Sequence, residues 1–252
     1  MPSAQIGDHP LFYTRHRGPK AGPTLLLIHG AGGSRLVWPD PLRRMSGATV
    51  YTLDLPGHGR SPGPGYDSIV QYAEVAAAFL DAAGIERPVV VGHSMGGAVA
   101  QTLTGDTPIA GLVLIATGAR LRVAPPLLEM LREIPPAAAD LINRLAWSPQ
   151  ADPTQIEKGR HALLQTAPGV LLNDMLACDR FDGRAHLAQI QAPTLVIAGA
   201  ADHLTPAKIT QPLAEGIPGA RLVVVEGAGH MVMLEQPAAV TKAIGQLLRR
   251  VT

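Results

Sequence analysis

The chain has 252 residues, a formal net charge of +1 from 21 basic and 20 acidic residues, and a single cysteine. At this length one large domain, or one domain carrying an insertion, is expected rather than two unrelated ones. No run of like charge could track phosphates or an anionic membrane surface, lone Cys178 excludes an internal disulfide, and no apolar stretch reaches the ~18 residues of a membrane span. A cytoplasmic protein with no nucleic-acid partner is expected.

In chain order, short apolar runs predict strands at Thr24 to Ile28, Ala48 to Leu53, Pro88 to Val91, Leu112 to Ile115, Thr194 to Ile197 and Arg221 to Val225. None alternates as a half-exposed strand does, so all read as buried on both faces. Between them, Ser68 to Ala83 places Ile69, Tyr72, Ala73, Ala76, Phe79 and Leu80 on one helical face. Alternating strand and helix predict an α/β fold with a mostly parallel central sheet flanked by helices. From Ala119 to about His186 the alternation stops, and helical patterns punctuated by seven prolines contain no strand. The expected division is a core of residues 1–118 and 187–252 with a helical insertion over 119–186.

Gly92-His93-Ser94-Met95-Gly96 follows the third apolar run and opens a small-residue helical pattern. It matches G-x-S-x-G, in which glycines permit a tight strand-to-helix turn that leaves a serine hydroxyl exposed. In an open parallel sheet, ligands bind beyond the carboxyl ends of the strands, where Ser94 is expected. A serine hydroxyl attacks only when a base takes its proton, and a histidine base needs an acid to set its tautomer. Asp202 stands in the loop after Thr194 to Ile197 and His230 in the loop after Arg221 to Val225, which makes them the candidate acid and base. His203 and Asp54 are the rivals. His203 adjoins Asp202 and so is badly placed to face Ser94, and Asp54 opens a Gly-rich turn that suits a structural role. The small residues of His29-Gly30-Ala31-Gly32-Gly33 would let a backbone N–H approach a substrate oxygen.

These residues, with Asp54-Leu55-Pro56-Gly57-His58-Gly59-Arg60-Ser61, resemble the α/β-hydrolase fold superfamily over nearly the whole chain, and within it the capped serine hydrolases related to carboxylesterases and lipases. The resemblance implies an oxyanion hole made by the backbone amides of Ala31 and Met95, with Gly32 an alternative to Ala31, and structural hydrogen bonding for His29 and His58. It also makes the insertion a cap over the site. A serine nucleophile disfavours the carboxylate-dependent dehalogenases and epoxide hydrolases of this fold.

No cluster has metal-ligand spacing and no phosphate-binding loop carries its lysine, so no metal and no cofactor are implied. The expected reaction is hydrolysis of a small-molecule ester through an acyl-enzyme on Ser94. The same triad could serve thioesters, a carbon–carbon bond or perhydrolysis, and the fold could serve a slow ligand receptor. Met130, Met175 and Met231 are candidate substrate contacts, because methionine makes an adaptable apolar lining. Apolar clusters in the insertion favour neutral esters of short to medium chain, whereas Arg120 and Arg122 would favour a substrate carboxylate if either faced the site.

Overall fold

The computed structural model describes residues 3–6 and 9–251. Eight strands form one sheet: β1 (Ser3–Ile6), β2 (His9–His16), β3 (Thr24–Ile28), β4 (Thr49–Leu53), β5 (Val89–His93), β6 (Gly111–Ile115), β7 (Thr194–Gly199) and β8 (Arg221–Val225). Their spatial order is β1-β2-β4-β3-β5-β6-β7-β8. β1 pairs antiparallel with β2 and β2 antiparallel with β4, and every other pair is parallel.

Successive residues of the parallel strands feed opposite faces. Leu26, Ile28, Val90, Leu112 and Leu114 join one apolar layer, against α2 (Ile69–Ala82), α3 (Met95–Leu103) and α8 (Ala207–Gly216). Leu25, Leu27, Val89, Val91, Val113 and Ile115 join the other, against α1 (Asp40–Arg43) and α10 (Pro237–Val251). Both layers exclude water, which is why these runs show no alternation. β8 departs from that expectation: it is the sheet edge, and Val224 is exposed. α9 (Val232–Glu235) is a single turn before α10.

Between β6 and β7 lie α4 (Pro125–Glu133), α5 (Pro135–Leu145), α6 (Pro153–Gln165) and α7 (Pro168–Arg180). Each opens on a proline, whose missing N–H would have had no intrahelical acceptor there and whose fixed φ suits the first turn. Six of the seven prolines that punctuate this segment therefore stand at helix starts, and Pro149 lies in the turn between α5 and α6. Leu128, Leu131, Ala138, Ala139, Ile142 and Leu171 form a third apolar cluster within these helices.

Candidate active site

Ser94 sits between the last residue of β5 and the first of α3, at φ 52° and ψ −118°. That is an unfavourable backbone for any residue with a Cβ, and it persists only where surrounding contacts over-determine it. Here the Ser94 N–H donates to the Ile115 carbonyl at 2.9 Å, while the Ser94 carbonyl accepts from Gly97 N–H and the Thr117 hydroxyl, both at 2.8 Å. The flanking glycines are set by close approach. A Cβ on Gly92 would lie 2.1 Å from the Gly96 carbonyl oxygen, and one on Gly96 would lie 2.2 Å from that of Ile28. The start of α3 thus presses onto β3 and β5, and the half-buried serine is turned out at the carboxyl edge of the sheet.

Asp202 follows β7 and His230 follows β8, and the structure brings them together: His230 Nδ1 donates to Asp202 Oδ2 at 2.9 Å. Asp202 also accepts from the Leu204 and Thr205 amides at 2.8 Å and from the Thr205 hydroxyl at 2.7 Å. Burial alone would raise the Asp202 pKa, but His230 and these donors outweigh it and hold the carboxyl well below the usual range. With Nδ1 committed to Asp202, the lone pair of His230 lies on Nε2. His93 braces this histidine from the elbow side. Its ring stands 4.9 Å from that of His230, and its Nε2–H donates to the His230 carbonyl at 3.1 Å. Burial and the neighbouring His230 lower the His93 pKa to about 3, so the brace is neutral. The Ser94 hydroxyl makes no hydrogen bond to His230 in this structure, as is common before substrate tightens a site.

The loop after β3 lies against the elbow, and a Cβ on Gly30 would come within 3.0 Å of Ser94 Cβ. Within it, Gly32 N–H donates to Asp174 and Gly33 N–H to the Gly30 carbonyl, whereas Ala31 N–H has no acceptor among the described residues. Met95 N–H is likewise free of an intrahelical acceptor, because it is the first residue of α3. His29 and His58 pack ring to ring at 4.8 Å behind this loop. His29 donates from Nδ1 to the Gly30 carbonyl and accepts the Leu55 amide on Nε2, and burial with the adjacent His58 brings its pKa down to about 3. Burial also works against charge on His58, but the carboxylate of Asp174 prevails and its pKa is raised. Asp54 accepts from the Arg35 and Arg60 amides and pairs with the Arg35 guanidinium, which occupies it structurally. His203 is exposed.

Met130 and Met175 join one apolar cluster with Ala31, Leu163 and Leu171. Met231 is not among them: it packs on the opposite layer, and its N–H donates to the Ala146 carbonyl. Arg120 pairs with Asp182 at 3.6 Å and Arg122 with Asp179 at 3.7 Å, so each has an anion of its own chain. Thr205, Asp174 and Glu235 are site residues that the sequence reading missed. Thr205 was legible as a hydroxyl three residues after the acid. Asp174 was legible as a carboxylate on the helical stripe Val170, Leu171, Ala177 and Cys178, all buried. Glu235 accepts from the amides of Gly229 and Ser148, joining the His230 loop to the end of α5, and no local pattern announces it.

The model of the alpha/beta hydrolase family matches residues 25–243. Over 245 residues the chain is 32% identical to a protein of Azorhizobium caulinodans that carries the name carbamate hydrolase RutD, covering 91% of each. It is 31% identical over 249 residues to a pimeloyl-[acyl-carrier protein] methyl ester esterase of Neisseria meningitidis, covering 88% of this chain and 91% of that one. A solved thermophilic esterase superposes with a TM-score of 0.88 at 35% identity, covering 99% of this chain and 97% of the other. With a family match over most of its length and relatives above 30% identity across nine-tenths of it, the chain belongs to the alpha/beta hydrolase family.

Proposed function

We propose that this protein is a serine hydrolase that cleaves carboxylic esters through an acyl-enzyme on Ser94. The observation that carries this reading is the strained φ of Ser94 beside a buried His230–Asp202 pair whose Nε2 is uncommitted. In the cycle, Ser94 Oγ attacks the ester carbonyl while His230 Nε2 takes its proton. Asp202 stabilises the imidazolium, and the amides of Ala31 and Met95 hold the oxyanion. The C–O bond to the alcohol then breaks as His230 returns the proton to the leaving oxygen. Water, deprotonated by the same imidazole, cleaves the acyl-enzyme and regenerates Ser94. No step calls for a metal or cofactor.

Residues 119–186 act as a cap and the remainder as the core, a division supported by the four helices that interrupt the strand rhythm. Met130 and Met175, clustered with Ala31, line the acyl or alcohol side, while Met231 contacts substrate only through its place after His230. Pairing of Arg120 and Arg122 with acidic neighbours supports a neutral rather than a carboxylate-bearing substrate. The methyl ester esterase among the relatives supports an ester. A cytoplasmic location belongs to the same reading.

A panel of neutral esters of increasing acyl length, with matched terminal carboxylates, thioesters, carbamates and a ring-cleavage diketone, tests the proposal. Turnover of order 1 to 1000 per second on neutral esters is expected. The specificity constant should rise over the first few methylenes, each worth about 0.8 kcal/mol when buried, until the pocket is full. Turnover slower than about once a minute on every substrate, with tight ligand binding, would make the protein a receptor.

A further inference from the structure

Gly32 is held on both sides by the insertion. Its N–H donates to Asp174 Oδ2 of α7 at 2.8 Å, and its carbonyl accepts the hydroxyl of Thr166, the residue that ends α6, at 2.9 Å. Gly32 has φ +62°, and a Cβ there would meet Leu163 Cδ2 at 2.8 Å and Leu171 Cδ1 at 2.9 Å. The helices of the insertion therefore rest directly on this residue, and both peptide groups that meet at it are fixed by them.

Asp174 is itself held firmly. It is fully buried, and it accepts the Tyr72 hydroxyl on Oδ1 at 2.6 Å and His58 Nε2 on Oδ2 at 2.8 Å. The other ring nitrogen of His58 lies 3.0 Å from the Pro56 carbonyl, which can only accept. Burial works against charge on this ring, but the adjoining Asp174 carboxylate raises the His58 pKa and so favours the imidazolium that donates from both nitrogens. A buried pair of this kind holds its geometry closely, because removing either partner strands the other charge.

We propose that Asp174 and Thr166 are positioning residues for the oxyanion loop. By seating on the core, the insertion clamps the two peptide groups around Gly32. With Gly33 N–H tied to the Gly30 carbonyl, Ala31 N–H is left as the amide of residues 31–33 that can meet a substrate oxyanion. Seating of the insertion and assembly of the hole are then one equilibrium. This inference rests on the serine-ester reading.

The test uses the full chain and the variants Thr166→Val, Thr166→Ser and Asp174→Asn, with kcat and KM on a neutral ester. The probe is a trifluoromethyl ketone, whose carbonyl carbon bonds to Ser94 Oγ as the serine proton passes to His230 and the carbonyl electron pair becomes an oxyanion. A non-hydrolysable ether analogue reports ground-state binding. Thr166→Val and Asp174→Asn should lower kcat and ketone affinity together by about 10- to 100-fold, less than or comparable to deleting an oxyanion donor, with ether affinity held within about twofold. Thr166→Ser, which keeps the hydroxyl, should recover most of the loss. If Asp174→Asn fails to fold, Thr166→Val carries the test alone. Unchanged kcat and ketone affinity in Thr166→Val, or a loss that follows melting temperature and that serine does not restore, would overturn the clamp. A wild type that neither turns over esters nor forms the ketone adduct refutes the serine-ester reading instead.

Discussion

At the scale of single residues, the site depends on one side chain held in an unfavourable backbone conformation and another held by its neighbours. Ser94 has no route out of its positive φ, because Gly92 and Gly96 pack too closely for the turn to relax and its own N–H and carbonyl are bonded to β6, Thr117 and α3. Asp202 is kept ionised by His230 and by donors from Thr205, so the acid fixes the imidazole without competing for its proton. On the proposed mechanism the three residues work as a unit, so Asp202→Asn and His230→Ala should each lower kcat/KM about a thousandfold or more, and the double variant should be scarcely worse than the less active single variant. Additive losses, or a severe effect of His203→Ala, would show that the base has been misassigned. The contact between Asp202 and His230 was legible because both stand in loops that follow predicted strands. The role of His93 was not, because bracing through the His230 carbonyl is a long-range contact that no local pattern encodes.

At the scale of elements, the insertion is stitched to the core at two seams, and each touches a loop that the proposed mechanism uses. One clamps the loop after β3. The other runs along Ala146, Trp147 and Ser148 at the end of α5, where Met231 N–H meets the Ala146 carbonyl, Ser148 Oγ donates to Gly227, and Glu235 spans Gly229 and Ser148. A Cβ on Gly229 would lie 2.6 Å from Ser148 N and 2.7 Å from the Trp147 carbonyl carbon, both backbone atoms. Gly229→Ala should therefore cost about 1–3 kcal/mol in denaturant unfolding and lower kcat as well, since the displaced loop carries His230. A variant with wild-type stability and kcat would contradict this seam. The buried strands were legible from unbroken apolar runs. β1 and β2 were not: β1 is short and only half-buried, and in β2 Arg15 and His16 are exposed. The insertion was recognised as helical, but its seams bring together residues far apart in sequence, such as Gly32 with Asp174.

At the scale of the whole molecule, buried imidazoles make stability depend on pH with a definite sign. His29 and His93 are neutral in the folded protein, with pKa values about 3 against an ordinary 6.5. Between those values the unfolded chain binds protons that the folded one does not, so stability falls as the pH drops from about 6.5 toward 3. Each histidine contributes at most one proton to the slope, about 1.4 kcal/mol per pH unit. His58, whose pKa is raised, acts in the other window: its contribution is complete below about 6.5 and is lost as the pH rises through its folded value. Denaturant unfolding across pH 4 to 7 should show the acid-side decline, and His93→Gln should reduce its slope by about one proton. A flat profile would mean that these imidazoles are hydrated or charged in the folded state.

The same arrangement of strands places Ser94, Asp202 and His230 at the carboxyl edge of the sheet, after β5, β7 and β8, and the proposed chemistry depends on Ser94 being the nucleophile there. The most direct measurement is mass spectrometry of the protein after reaction with a fluorophosphonate, read alongside ester hydrolysis by the same sample. One phosphonyl group should be found on the peptide that contains Ser94, in step with loss of activity. Ser94→Ala should remain folded, take up no label and retain under about a thousandth of wild-type turnover. Label on a different residue, or a folded Ser94→Ala that keeps a tenth of the activity, would contradict the assignment of Ser94 as the nucleophile.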